Sequence, residues 1–283
     1  MTSRTVAVDG VRFHLERAEP KRRRRTTPTL LLHGVPQTAD VWRDLIPQLA
    51  TDRIVLAPDL KGLGRSEARE PYDAGTLVAE LAALVLHEVD GPVDVVGHDW
   101  GGSLAIGLAS HRPELVRRLV VISAPYRKVD LKRAFHMPLM ALPGLPEVGF
   151  RLAGEHLVRT MFRRAWGSGT PLDEEQLRAY VEAYTPPHRV SAMLAYYRAA
   201  IRGRLRHAIG GKGGGARRRV TAERSLVIWG TADPAMPMSV GEAAHRDLGA
   251  NATMLTLPGV GHFGVDEAPD VVLPAITEFL RAP

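Results

Sequence analysis

The chain has 283 residues and no cysteine, and its 45% hydrophobic and 24% charged residues are the composition of a globular protein with a sizeable apolar core. This composition excludes a disordered, collagen-like or disulfide-stapled chain, and the lack of cysteine excludes a thiolate metal site and a cysteine nucleophile. The net charge of +6 comes from two basic runs, at 21–25 and 202–219, because removing their 12 basic residues from 37 leaves 25 against 31 acidic ones.

Short apolar runs alternate with helical patterns along most of the chain. Residues 4–19 alternate as an antiparallel hairpin at a sheet edge would. Helical patterns cover the stretch around 77–85, residues 101–110 and residues 270–281. The remaining runs are rich in Leu, Ile and Val, as in strands buried on both faces of a parallel sheet, and lie at 29–33, 53–58, 93–97, 119–123, 225–229 and 253–257. The sequence therefore predicts an α/β fold with a mostly parallel, doubly wound sheet.

One long stretch breaks this alternation. Residues 128–210 show only helical patterns, separated by clusters of proline and glycine. We interpret it as a helical cap inserted into a core formed by residues 1–127 and 211–283. The glycine-rich segment 210–215 is typical of a flexible return to that core.

The segment 95–102, which reads VVGHDWGG, carries the strongest functional signal. A buried strand runs directly into small residues and a helix, which predicts a tight elbow presenting Asp99 at the carboxyl edge of the sheet. A carboxylate is already ionised at neutral pH, so Asp99 needs no base to act as a nucleophile. Its attack on a saturated carbon would give an alkyl ester, which water must then cleave with the help of a base and an oxyanion hole. The alternative is that Asp99 only caps the helix.

Two further residues follow the last strands in the order that this elbow fold uses. His262 comes after the final apolar run and is our candidate for the base that activates water. Asp233 comes after the preceding run and is our candidate for the carboxylate that orients the imidazole. We therefore predict a catalytic set of Asp99, Asp233 and His262.

The oxyanion hole is predicted to combine two backbone N–H groups, from Trp100 after the nucleophile and from Val35 in the loop after the first parallel strand. We expect His33 and His98 to make local hydrogen bonds and carry no proton in the reaction. The other histidines lack metal-ligand spacing, so no metal and no cofactor are predicted. The run Gly62-Leu63-Gly64 lacks a full phosphate-binding fingerprint and is interpreted as a structural loop.

These residues resemble the α/β-hydrolase superfamily, and within it the epoxide hydrolase and haloalkane dehalogenase branch. The resemblance runs from about residue 29 to the C-terminus and is carried by HGVP at 33–36, PDLKGLGRS at 58–66, GHDWGG at 97–102, Asp233 and His262. It implies the α/β-hydrolase fold and an aspartate nucleophile.

The resemblance also bears on the substrate. Epoxide hydrolases use cap tyrosines to protonate the opening ring, and Tyr197 matches the position of one of them. Haloalkane dehalogenases resemble this chain in the Asp99–Trp100 pair but usually carry a side-chain amide where Val35 stands. Fluoroacetate dehalogenases typically have arginine where Trp100 stands. The resemblance therefore favours an epoxide as the substrate.

The second tyrosine of those epoxide hydrolases has no counterpart here. Phe150, His156 and Phe162 fall where it would be expected, and the other candidates are Tyr126, Tyr180 and Tyr184. Residues expected to contact the substrate are His33, Pro36, Trp100, Phe150 and Tyr197.

We therefore predict a cofactor-independent hydrolase that converts an epoxide to a vicinal diol, with a small-molecule substrate and water as partners. Dehalogenation of a haloalkane or haloacid is the enzymatic alternative, and a non-catalytic ligand-binding protein of this fold is the alternative from another class. The basic runs contain no interleaved aromatic residues, so we expect solvated loops and no nucleic-acid partner. No stretch has the roughly 20 apolar residues of a membrane span, and residues 1–17 lack a signal-peptide core, so we expect a cytoplasmic protein without a membrane partner. A homodimer is left open.

Overall fold

The computed structural model describes residues 1–20, 26–125, 136–168, 170–208 and 220–282. Within these residues eight strands form one sheet, in the order β1-β2-β4-β3-β5-β6-β7-β8. The strands are β1 Thr2–Val8, β2 Val11–Ala18, β3 Thr29–Leu32, β4 Val55–Pro58, β5 Val93–His98, β6 Val116–Ile122, β7 Arg224–Gly230 and β8 Ala252–Leu257. The first two form the predicted hairpin, β2 pairs antiparallel with β4, and the other neighbours are parallel.

The sheet is covered on both faces, which explains its uninterrupted apolar strands. In the central strand β5, Val95 packs into the core on one face and Val96 into the core on the other. In β6, Val121 and Ile122 divide in the same way. Successive side chains of a strand point to opposite faces, so a strand buried on both sides is apolar at every position.

The helices fall into two groups. Those that flank the sheet are α1 Leu45–Leu49, α2 Ala74–Glu88, α3 Trp100–His111, α8 Met238–Leu248, α9 Gly264–Glu267 and α10 Pro269–Arg281. Four others lie in the chain between β6 and β7, namely α4 His136–Ala141, α5 Leu145–Ala165, α6 Glu174–Tyr184 and α7 Pro187–Ala208. We call α4–α7 the helical segment.

Hydrogen bonds join the helical segment to loops at the carboxyl edge of the parallel strands. The hydroxyl of Tyr184 donates to the backbone carbonyl of Gln37 at 2.7 Å, and that of Tyr196 donates to the carbonyl of Lys61 at 2.8 Å. Both hydroxyls are buried, where an unpaired polar group would be costly. These bonds fix α6 and α7 against the loops that follow β3 and β4.

The predicted α/β fold, with its mostly parallel sheet and flanking helices, is confirmed, and the strand and helix bounds shift by only a few residues. Both predicted boundaries of the cap lie outside the described residues, so the division into core and cap stays a prediction. The basic run at 21–25, Tyr126 and the glycine-rich segment at 210–215 lie outside them as well. No helix in the described part of the chain is both long and apolar enough to cross a membrane.

Candidate active site

Asp99 occupies a strained elbow between β5 and α3. Its backbone has φ 49° and ψ −118°, a region that costs a residue with a side chain on the order of 1–3 kcal/mol. The elbow is held by hydrogen bonds from the Asp99 N–H to the carbonyl of Ile122 and from the Ser103 N–H to the carbonyl of Asp99, both at 3.0 Å. In this conformation the carboxylate lies against the loop after β3.

Two glycines make this elbow sterically feasible. A Cβ at Gly101 would lie 2.3 Å from the carbonyl oxygen of Leu32, so no larger residue lets α3 approach β3 this closely. A Cβ at Gly34 would lie 2.6 Å from the Cβ of Asp99. Both distances are far inside van der Waals contact, which explains why glycines stand at these two positions.

The two oxygens of the Asp99 carboxylate have different partners. Oδ2 accepts a hydrogen bond from the backbone N–H of Val35 at 3.0 Å. Oδ1 lies 3.7 Å from Nε2 of His262, an ion-pair distance that is too long for a direct hydrogen bond. Trp100 is the first residue of α3, so its N–H is among the helix N-terminal groups that have no acceptor inside the helix.

His262 and Asp233 form a short, buried pair. Nδ1 of His262 lies 2.8 Å from Oδ2 of Asp233, and both residues are buried. The other oxygen of Asp233 accepts from the backbone N–H groups of Ala235 at 2.9 Å and Met236 at 2.8 Å. The carboxylate is therefore fixed in place, and it fixes the ring so that Nε2 points toward Asp99.

The electrostatics of this set follow from its burial. Burial lowers the pKa of His262, but the charge and hydrogen bond of Asp233 and the nearby charge of Asp99 outweigh it and raise that pKa to about 10. Burial raises the pKa of Asp99, and the proximity of His262 reverses this, so the net direction is downward. At neutral pH the pair is an imidazolium facing the ionised carboxylate of Asp99.

The loop that carries His262 is held by groups distant in sequence. The backbone N–H of His262 donates to the carbonyl of Ala165, the last residue of α5, at 2.8 Å. The buried carboxylate of Glu267 accepts from the N–H groups of Gly261 at 2.8 Å, Phe263 at 3.0 Å and Gly167 at 2.7 Å. Glu267 thus ties the histidine loop to the end of α5.

His33 and His98 are both fully buried, and backbone groups engage them. Nε2 of His33 accepts from the N–H of Leu60 at 2.9 Å, so its Nδ1 donates to the carbonyl of Gly34 at 2.8 Å. Nε2 of His98 donates to the carbonyl of His262 at 2.9 Å. Both ring nitrogens of His33 are occupied, and its predicted contact with the substrate stays a prediction.

Tyr197 lies beside the elbow, on α7. Its ring meets that of Trp100 edge-on, with centroids 5.3 Å apart. Burial and the negative charge of Asp99 raise the pKa of its hydroxyl, and a hydrogen bond with the Trp100 side chain opposes the rise. Tyr197 is therefore a protonated phenol within the electrostatic reach of Asp99.

The described candidates for a second tyrosine, Tyr180 and Tyr184, have hydroxyls that make hydrogen bonds within the protein. The hydroxyl of Tyr184 donates to the carbonyl of Gln37, and that of Tyr180 accepts from the side-chain amide of Gln176 at 2.6 Å. Phe162 stacks on Tyr180 with centroids 5.3 Å apart. His156 is exposed on α5.

Phe150 is buried on α5 and packs in the main core, and Pro36 is buried in the loop after β3. Their predicted contacts with substrate stay predictions. The PDLKGLGRS run is structural, since Oδ1 of Asp59 accepts from the N–H of Ala39 and Oδ2 from that of Arg65, each at 2.8 Å.

Two sets of residues near the site are absent from the sequence predictions. His136 begins α4, and its ring meets that of Tyr197 edge-on with centroids 6.2 Å apart. Burial lowers its pKa, and the charge of Asp99 acts in the opposite direction. Gln37 and Asp266 form a hydrogen-bonded chain with His98. No spacing rule identifies either set, because these contacts form only between elements far apart in the chain.

The arrangement can perform covalent catalysis. An ionised carboxylate has one oxygen on a backbone donor and the other near a histidine, which a second carboxylate orients. Among the described residues, no group of three or more His, Asp or Glu side chains is placed to hold a metal ion.

Comparison with known proteins bears on the family. Residues 27–269 match the α/β hydrolase fold family. The chain is 28% identical to epoxide hydrolase 4 of Mus musculus over 295 aligned positions, covering 96% of this chain and 77% of that protein. A putative α/β hydrolase from Nostoc sp. PCC 7120 superposes with a TM-score of 0.85 at 26% identity, covering 100% and 98% of the two chains. Epoxide hydrolase A from Mycobacterium thermoresistibile superposes with a TM-score of 0.80 at 25% identity, covering 99% and 98%. The sheet order, the elbow and the family match together identify this chain as a member of the α/β hydrolase family.

Proposed function

We propose that this protein is an epoxide hydrolase that opens its substrate through a covalent alkyl ester of Asp99 and releases a vicinal diol. The observation that carries the proposal is the split environment of the Asp99 carboxylate. One oxygen is held by the N–H of Val35, and the other is free of a short hydrogen bond and faces His262. A serine at this elbow would suit attack on an acyl carbon, whereas a carboxylate suits displacement at a saturated carbon.

In the first step Oδ1 of Asp99 attacks a ring carbon and the carbon–oxygen bond of the epoxide breaks. The ring oxygen leaves as an alkoxide and takes the proton of the Tyr197 hydroxyl. Esterification removes the negative charge of Asp99, so the pKa of His262 falls and its imidazolium loses a proton. One proton returns to the Tyr197 phenolate, so the net result is a protonated Tyr197 and a neutral His262.

In the second step neutral His262 takes a proton from water, and the resulting hydroxide attacks Cγ of the ester. The oxyanion forms on Oδ2, which the Val35 N–H already holds and which the Trp100 N–H also stabilises in our proposal. Collapse of the tetrahedral intermediate breaks the bond between Cγ and Oδ1, and the diol leaves with Oδ1. The departing alkoxide takes the proton of the hydroxyl that attacked, whose oxygen stays on Cγ as a carboxylate oxygen of Asp99. Asp99 is restored as a carboxylate and His262 as an imidazolium, so protons balance over the cycle.

The environment of Tyr197 favours an epoxide over a halide. A departing alkoxide needs a proton, and Tyr197 is a protonated phenol close to Asp99. A departing halide needs only hydrogen bonds, so the Tyr197 proton would have no role in its release. Relatives named epoxide hydrolases give further support. We accordingly propose a small epoxide and water as the substrates, and residues 128–210 as a cap over the site.

The deciding experiment pairs a substrate screen with a single turnover in oxygen-18 water. Styrene oxide and a bromoalkane are supplied separately, and diol and bromide are measured independently. We expect diol from styrene oxide, with the first product largely unlabelled because its new oxygen comes from Asp99. Full labelling on the first turnover would mean direct attack by water, and bromide without diol would favour the dehalogenase alternative.

A further inference from the structure

A chain of buried side chains runs from the backbone of His262 to a small cavity. Nε2 of His98 lies 2.9 Å from the carbonyl oxygen of His262, and Nδ1 of His98 lies 2.7 Å from Oε1 of Gln37. Nε2 of Gln37 lies 2.6 Å from Oδ2 of Asp266, and a half turn of the amide would exchange its two ends. Oδ1 of Asp266 accepts from the amide of Gln176 at 2.9 Å.

The cavity lies between the helical segment and the elements that flank the sheet. Its volume is about 130 Å³, enough for a few water molecules, and Asp266 is partly accessible from it. Arg43, Asp44 and Asp173 also line it. Protons can therefore reach Asp266 without passing the nucleophile.

The direction of each hydrogen bond constrains the protons of the chain. The carbonyl of His262 can only accept, so Nε2 of His98 must carry a proton. If Gln37 presents its oxygen to His98, then Nδ1 must carry a proton too, and Asp266 is an ionised acceptor for the Gln37 NH₂. If the amide is turned round, Nδ1 of His98 is an acceptor and Asp266 must be protonated to donate to the Gln37 oxygen. Each arrangement therefore carries one proton more than the state in which His98 is neutral and Asp266 is ionised.

The surrounding charges favour the arrangement with neutral His98. Burial and the positive charge of His262 lower the pKa of His98 to about 4, against the opposing charges of Asp99 and Asp233. Burial raises the pKa of Asp266 to about 7, although hydrogen bonds from Gln37 and Gln176 and the charge of Arg43 oppose the rise.

The negative charge of Glu267 adds to that rise. Asp44 and Asp173 at the cavity, and the Tyr180 hydroxyl on Gln176, are the other titratable groups on this side. Asp266 is thus the group from which the extra proton is lost as pH rises through neutrality.

We infer that Gln37 and Asp266 are positioning residues for the base His262, and that a single proton held on the Asp266–Gln37–His98 chain keeps the histidine loop in place for ester hydrolysis. The inference rests on the proposed function, because it assigns these residues to the second step of that reaction. When the proton is lost, the Gln37 amide turns its NH₂ to the charged Asp266. Its oxygen then faces Nδ1 of His98, which draws the His98 proton from Nε2 to Nδ1. The carbonyl of His262 loses its donor.

The first test needs no substrate. Protein labelled with nitrogen-15 at histidine is titrated from pH 5.5 to 8.5, and the ring-nitrogen shifts report the tautomer of His98. We expect His98 to change from the Nε2–H to the Nδ1–H tautomer as pH rises. In Asp266→Asn the amide always donates to Gln37 and still accepts from Gln176, so the Nε2–H tautomer should persist throughout. Asp173→Asn is the matched control from the same cavity and should titrate like wild type.

The second test measures the two reaction steps separately in single turnovers. The ratio of the rate of ester hydrolysis at pH 8.5 to that at pH 6 should be about tenfold lower in wild type and Asp173→Asn than in Asp266→Asn, because a displaced base loses its alignment. Only the titration of His262 itself should remain in Asp266→Asn. Ester formation should show no such difference between the variants. Gln37→Leu should slow hydrolysis at both pH values, and if that variant does not fold, Asp266→Asn decides alone.

An unchanged His98 tautomer in wild type, or the same switch in Asp266→Asn, would overturn the inference. So would a tautomer switch with no effect on ester hydrolysis. If no ester forms in wild type, the proposed function fails instead, and the nitrogen-15 titration still tests the proton chain.

Discussion

The carboxyl edge of the sheet and the helical segment contribute different kinds of residue to the site. Asp99, Asp233 and His262 each follow a strand directly, so the sheet register fixes their separation. Tyr197 and His136 lie on helices. The ring of Tyr197 contacts that of Trp100 at the elbow, with centroids 5.3 Å apart, and the ring of His136 contacts that of Tyr197, with centroids 6.2 Å apart. The edge therefore holds the residues proposed to form and cleave the ester, and the helices hold Tyr197, proposed to protonate the leaving oxygen, with His136 beside it. Changes at the edge should stop the reaction, and changes in the helices should redirect or slow it.

The largest effect is expected at Asp99, the proposed nucleophile. Asp99→Ala removes the carboxylate proposed to attack the substrate, and we expect turnover to fall by at least about 10⁴-fold. Diol formation from styrene oxide measures the loss, and the melting temperature checks that the fold survives. Asp90→Ala, at an exposed position just after α2, is the control. Appreciable turnover by folded Asp99→Ala would place the chemistry elsewhere.

The second expected effect separates the two steps at the edge. Attack by Asp99 needs no base, whereas ester hydrolysis does, so His262→Gln should form the ester and cleave it about 10² to 10⁴ times more slowly. Intact-protein mass spectrometry should show an adduct with the mass of the substrate. A variant that binds substrate but shows no adduct would contradict the role assigned to His262.

The pKa of His262 adds a pH dependence to that prediction. Asp233 and Asp99 raise this pKa to about 10 in the free enzyme, and the ester lacks the charge of Asp99. Hydrolysis requires neutral imidazole, so it should slow as pH falls through the lowered pKa of the ester form. Ester formation should persist to lower pH, because the pKa of Asp99 lies below its ordinary value.

The difference between the two regions also decides how much the sequence could predict. Local signals predict Asp99, since a buried strand, a run of glycines and a helix start leave little choice for the backbone. The positions of Asp233 and His262 after later strands predict their roles. Gln37 and Asp266 lie 229 residues apart and meet only through the fold, so no local pattern marks their hydrogen bond. The register of the helical segment was equally hidden, because its helices are placed by buried hydroxyls such as that of Tyr184.

A smaller effect is expected in the helical segment, at Tyr197. Tyr197→Phe keeps the ring and removes the proton donor, so epoxide opening should slow by at least about tenfold. Any release of halide should be much less affected, because a halide leaves without a proton. Tyr180→Phe is a matched control, since that hydroxyl is engaged by Gln176. Wild-type epoxide opening by Tyr197→Phe would reduce Tyr197 to a packing residue and weaken the epoxide assignment.

The smallest effect is expected at His136. Its ring meets Tyr197 edge-on, and burial lowers its pKa, so it is a neutral imidazole at pH 7. His136→Phe preserves the ring contact and removes the polar nitrogens, which should change kcat/KM for epoxides by less than about tenfold and act mainly through KM. His156→Phe makes the same change at an exposed position of the helical segment and should have no effect. A loss as large as that of Tyr197→Phe, confined to kcat, would instead assign His136 a proton-donating part in ring opening. The helical segment would then supply two proton donors, whereas the sequence predicts only Tyr197.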